Sequence, residues 1–236
     1  MGLVQACLLA LPGFLQPLLA QDCGPAELER VIVERISAEG DVILADARRL
    51  RLAGLHILSV NLNLWPKPGE TIGLALLQEG KDRENKDRWS RQSAMLFTLA
   101  ADGQPQWFQQ RLVAAGVALV RPEADLGGCW ALLRHIERGL ESKLAQPKPE
   151  GGRFARVSGR VQRVGEGRSA HFINLVDASG ERITGLVQKR YLKRFSDAGV
   201  DVKQLNGHFI RLRGVRNIAN ASIITLTTVD QIETMR

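Results

Sequence analysis

Two arginines define the chemistry this chain could do. Arg51 lies in the alternating run Arg49-Leu50-Arg51-Leu52, and Arg91 closes the run Asp87-Arg88-Trp89-Ser90-Arg91. A guanidinium presents a planar fork of N–H donors that matches two phosphoryl oxygens, so a converging pair of arginines could cradle a phosphate. The plainer reading is an exposed or ion-paired arginine, with Asp87 or Glu84 as partner. Glu39, Asp41 and Asp46 lie upstream. Carboxylates can hold a hard cation, which takes oxygen ligands, or can simply mark turns and strand starts. His56, His135, His171 and His208 have no zinc-ligand spacing, and Cys129 with His135 makes no nucleophile pair.

The elements that would position the arginines are legible from periodicity. Period-two alternation predicts strands at 28–37, 41–44, 49–55, 71–77, 91–99 and 117–120. Within 49–55, Leu50 and Leu52 share one face and Arg49 and Arg51 the other. Helices are expected at 106–115, stopped by Gly116, and at 128–144. The second helix carries Cys129, Leu132, Leu133, Ile136, Leu140 and Leu144 on one face, with Cys129 buried. The Pro/Gly-rich segment 145–152 reads as a linker. Beyond it, strands at 157–164, 171–176 and 181–187, a helix at 188–198, and strands at 207–216 and 222–228 follow the element order of an OB-type barrel.

Charge divides unevenly. Residues 1–144 hold 16 Lys and Arg against 17 Asp and Glu, whereas 145–236 hold 16 against 8, a net of +8 on the C-terminal part. That excess could steer nucleic acid, another polyanion or an anionic membrane surface, or it could be an ordinary solvated surface. Arg156, Arg160, Arg211 and Arg213 are expected to point outward by period two, and Lys189, Arg190, Lys193 and Arg194 crowd one helix. Stacking surface is thin, with Phe172 and Phe209 as the aromatics on these strands. Residues 2–20 carry no charge and end in Leu18-Leu19-Ala20, the pattern of a signal peptide at 1–20 or of an N-terminal anchor. Removing the leader with Cys7 leaves Cys23 and Cys129. In an exported chain an even pair reads as one disulfide; two buried thiols are the alternative.

Arg51-Leu-Ala-Gly-Leu55 and Asp87–Arg91, followed by a helix, Gly116-Val-Ala-Leu-Val120 and a Cys-bearing last helix, resemble the staphylococcal-nuclease-like (thermonuclease) family over nearly all of residues 24–144. The resemblance implies an exported bacterial protein, a mainly β, α+β chain with a nuclease-type OB barrel and packed helices. Residues 153–236 add a second, basic OB-like barrel. It also implies a Ca2+-dependent phosphodiesterase site. There, carboxylates hold the metal, a glutamate handles the attacking water, and two arginines neutralise the phosphoryl oxygens. Matched residue by residue, Arg51 and Arg91 remain. The first metal aspartate falls at Gly40 or Asp41, the second becomes His56, and the glutamate becomes Ser59. The following segment is shortened to residues 61–69. The expectation is therefore a catalytically degenerate binding or structural module, with no resident cofactor and with nucleic acid, another polyanion or envelope proteins as partners. An active Ca2+-dependent nuclease is the alternative.

Overall fold

The computed structural model describes Cys23 and residues 27–77, 86–100, 104–122, 129–140 and 150–235. The leader and residues 145–149 of the linker lie outside the described residues. The first half contains β1 (Glu29–Ile36), β2 (Val42–Leu44), β3 (Arg49–Leu52), β4 (Leu55–Ile57), β5 (Thr71–Leu76), β6 (Arg91–Leu99) and β7 (Pro105–Trp107). These lead into α1 (Phe108–Ala114), β8 (Ala118–Val120) and α2 (Cys129–Arg138). The main sheet runs β3-β2-β1-β5-β6-β7, and a further parallel pairing of β3 with β6 closes five of its strands into a barrel. The chain is thus mainly β with packed helices, and its barrel is OB-like.

Residue type dictates these elements. In β3 the leucines are buried and the arginines only half-buried, as alternation demands on a strand with one face in a core. β6 is buried along most of its length because α1 covers its outer face. There, buried Gln109 donates to the Ala94 carbonyl and accepts from the Leu96 N–H, which satisfies strand groups that water cannot reach. Leu44, Leu50, Ile72 and Leu96 fill the barrel, each contributing roughly 1.5–3 kcal/mol by burial.

The second half contains β9 (Phe154–Glu166), β10 (Ala170–Asp177), β11 (Arg182–Gln188), α3 (Leu192–Asp197), β12 (Phe209–Val215), β13 (Ile223–Leu226) and β14 (Ile232–Thr234). They form one sheet, β13-β11-β10-β9-β12-β14, in which β11 and β13 are parallel. An isolated bridge joins Arg216 to Ile224. This sheet has its own core around Ile173, Leu175, Phe195, Leu212 and Ile224. Two three-residue strands, β7 and β14, were not expected, and β7 takes the first two residues of the expected helix at 106–115.

The two halves meet along α2, β8, β9 and β12, and three sequence expectations are corrected at or near this seam. Arg156, Arg211 and Arg213 do not point into solvent; all three are buried, Arg213 completely. Arg213 pairs with Glu137 of α2 and with Glu233 of β14, and Arg156 also faces Glu137. Arg211 donates to Ser158 and reaches Glu233. The face of β12 opposite its apolar core is covered by the first half rather than by water, so alternation still holds while its meaning changes. Arg134 of α2 donates to the Asp230 carbonyl, Arg138 pairs with Glu233, and Phe154 packs on Leu119. The expected bridge between Cys23 and Cys129 is not shown: Cys23 is half-buried and Cys129 buried, and both pack against the first core as small apolar side chains. Among the described residues no helix is long and apolar enough to cross a membrane.

Candidate phosphate-binding site

The pairing that closes the barrel also assembles the site. In the parallel register of β3 with β6, Arg49 lies opposite Arg91 and Arg51 opposite Ser93. Sequence reasoning named Arg51 and Arg91, and the strand pair places both on one seam. It also adds Arg49, whose position two residues before Arg51 was the available signal.

Asp41 enters from the turn before β2. Gly40 adopts φ +82°, and a Cβ there would meet Ile57 at 3.0 Å and Trp65 at 3.2 Å, so only glycine fits without strain. Ser37 secures the turn by accepting from the Glu39 and Asp41 N–H groups. Asp41 is thereby held 3% exposed. Its Oδ2 accepts from Arg49 Nε at 2.7 Å and its Oδ1 from Arg91 Nη1 at 3.3 Å. Asp87 holds the other edge of Arg91, accepting from Nε at 2.9 Å and pairing with Nη2 at 2.7 Å. Arg51 donates from Nη2 to Ser93 Oγ at 3.2 Å.

These contacts set the charge states. Burial of the Arg91 guanidinium works against its charge, but the Asp87 hydrogen bond and the Asp41 and Asp87 charges prevail and raise its pKa. Burial likewise opposes the Asp87 carboxylate. Hydrogen bonds from the Arg91 side chain and from the Arg91 and Trp89 N–H groups outweigh it and hold Asp87 below the usual carboxylate range. Trp89, missed by sequence reasoning, stands 53% exposed beside this cluster. The Arg88 guanidinium lies 3.9 Å from its ring centre and that of Arg91 4.7 Å, within cation–π range.

The positions that the nuclease resemblance assigned to the metal site offer no set of unengaged oxygen ligands. Both Asp41 oxygens are engaged by guanidinium groups. His56 stacks on Phe154 at 5.3 Å, and burial, then the Arg121 and Arg153 charges, lower its pKa. Ser59 is exposed. Among the described residues no group of three His, Cys, Asp or Glu side chains is placed to hold a metal ion. A hard cation needs several unengaged oxygens and suffers beside three guanidinium groups, so these residues do not fit Ca2+.

The remaining basic candidates occupy the second half. Arg160 is exposed and donates to the Gly207 carbonyl. Lys189, Arg190, Lys193 and Arg194 are all exposed. Arg190 and Arg194 lie over the Tyr191 ring at 4.8 and 5.1 Å, and Lys193 pairs with Asp197. Glu166 bridges Lys189 and Lys203, whose hydrogen bonds and charges bring its pKa down to about 2. Part of the charge excess is therefore neutralised locally.

No protein-family model matches this chain, and no curated protein matches it. Among solved structures it is similar to a chain of the S. pombe Stn1–Ten1 complex, at 14% identity and a TM-score of 0.29, over 36% of this chain and 59% of that one. It is also similar to an OBody bound to hen egg-white lysozyme, at 12% identity and 0.28, over 36% and 82%. A third similarity is to asparaginyl-tRNA synthetase from Pyrococcus horikoshii, at 15% and 0.28, over 39% and 21%. At these TM-scores the likeness carries no argument, and the barrel rests on its own strand pairings.

Proposed function

We propose that this chain is an exported, catalytically degenerate relative of the thermonuclease barrel that binds phosphate-rich chains without cutting them. The carrying observation is the parallel β3–β6 register, which sets Arg49, Arg51 and Arg91 on one seam beside the exposed Trp89. Guanidinium groups held from behind by carboxylates are pre-organised for phosphoryl oxygens, and an exposed indole can stack on a base regardless of sequence. The clamping of Asp41 by two arginines supports binding over metal-dependent hydrolysis. Export rests on the uncharged apolar leader.

We read the chain as two domains, 24–144 and 153–236, joined by the linker at 145–152. The second is an OB-type barrel, supported by its strand order and by the Arg216–Ile224 bridge. Its exposed Arg160, Arg190 and Arg194 extend the basic footprint. Nucleic acid is the partner this chemistry favours; envelope proteins would use the same surface less specifically.

The test is fluorescence anisotropy with a labelled single-stranded oligonucleotide at rising salt. The expected result is saturable binding that weakens as salt rises and falls about tenfold in Arg51→Gln. Absence of binding at low salt refutes the reading.

A further inference from the structure

A second site lies far along the chain from the arginine seam, in the second half. His171, the second residue of β10, lies on the core-facing row that continues with Ile173 and Leu175. An imidazole in an apolar row is the exception among these positions, and it is buried with 2% of its surface exposed. Among the described residues its Nδ1 has no hydrogen-bond partner, and its Nε2 lies 3.9 Å from Glu166 Oε1, beyond hydrogen-bonding distance. Buried polar atoms are nearly always paired, so one left open beside a cavity points to a missing partner. His171 lines such a cavity, of about 460 Å3, between β10, α3 and the 3-10 turn Val202–Leu205. Leu192, Val200 and Val202 give it apolar walls, and Lys193, Ser196 and Lys203 its polar lining. The one carboxylate in the lining, Asp201, is turned into its own cap and accepts from the Lys203 N–H and Gln204 Nε2. Glu166 tethers Lys203 and Asp197 tethers Lys193.

We propose that this cavity binds a small phosphate monoester, the phosphate meeting Lys193 and Lys203 and a polar atom of the ligand meeting His171 Nδ1. Each ammonium keeps at least one N–H beyond its carboxylate partner to offer a phosphoryl oxygen, and the volume suits a nucleotide-sized molecule.

Titration of the full chain with a nucleoside 5′-monophosphate, inorganic phosphate and acetate tests this by NMR. The expected result is a saturable shift of the His171 ring nitrogens and of amides 192–203 with both phosphates, absent with acetate. Equal affinity for the two would assign recognition to the phosphate group alone; tighter binding of the monophosphate would bring in the apolar walls. Lys203→Gln should weaken binding about five- to tenfold and leave oligonucleotide affinity at the arginine seam unchanged. That variant carries the test even if His171→Gln fails to fold. Shifts that never saturate, a silent His171, or equal shifts with acetate overturn the proposal.

Discussion

Two of the arginine–carboxylate clusters among the described residues look alike in sequence and differ in physics. At the barrel seam, Arg49 and Arg91 meet Asp41 and Asp87, Arg51 meets Ser93, and Trp89 stands exposed beside them. At the junction of the halves, Arg156, Arg211 and Arg213 meet Glu137 and Glu233 with no route to solvent for Arg213 or Glu137. The first can exchange partners, because an arriving phosphate replaces water. The second cannot, because each charge depends on its neighbour for the solvation that water would supply. Period-two alternation gave Arg156, Arg211 and Arg213 to a basic surface; burial gives them to the joint.

Breaking the joint should have the largest effect. Glu137→Ala leaves Arg213 buried without its closest partner, and should cost roughly 3–5 kcal/mol in denaturant unfolding. A loss under about 1 kcal/mol would show that the junction is wet. Trp89→Ala should do the reverse. It should weaken oligonucleotide affinity by about 1–3 kcal/mol if the indole stacks on a base, with stability unchanged within ~0.5 kcal/mol. Equal losses in both measurements would erase the contrast.

Acid should also tell the clusters apart. Burial works against the Glu233 carboxylate, but the Arg213 charge and hydrogen bonds from Arg138 and Arg213 lower its pKa below the ordinary 4.5. In the unfolded chain it titrates at the ordinary value. Its stabilisation is therefore complete above pH 4.5 and is lost as pH falls through the lowered native value. His56, against Phe154 at the same junction, has a pKa lowered from 6.5. It acts with the same sign at higher pH: the unfolded chain takes up the proton first. Amide protection across α2, β12 and β14, measured relative to the intrinsic exchange rate at each pH, should fall on acidification before protection within β1 and β5. A uniform loss of protection would contradict this. The smallest expected effect is at Ser90, which adopts φ +61° in the left-handed region. Ser90→Gly relieves that strain, offset by glycine entropy, and should stabilise by less than ~1 kcal/mol in thermal unfolding.

Much of the fold was legible because strands with one buried face must alternate. β6 falls on its expected residues, and β3 shows leucines in and arginines half out. The strands β7 and β14 were not: β7 overlaps the row that read as a helix over 106–115, and β14 lies beyond the last expected strand. Glu137 was missed although it continues the i, i+4 row of Cys129 and Leu133; a carboxylate on that row reads as a break until its partner, Arg213, is known to lie across the junction. At the candidate site Arg51 and Arg91 were legible. Asp41 was read as a weak metal position, and its two guanidinium partners appear only once the β3–β6 register is known. Nothing in the spacing of Trp89 distinguishes an exposed indole from a packed one.

The central claim is binding without hydrolysis at Arg49, Arg51 and Arg91. It is tested most directly by incubating the purified chain with labelled single- and double-stranded DNA and with RNA, in Ca2+ and in EDTA, and resolving the products. The account predicts intact substrate in both conditions, retained by the protein and released by salt. EDTA-sensitive cleavage that disappears in Arg51→Ala or Arg91→Ala would contradict it.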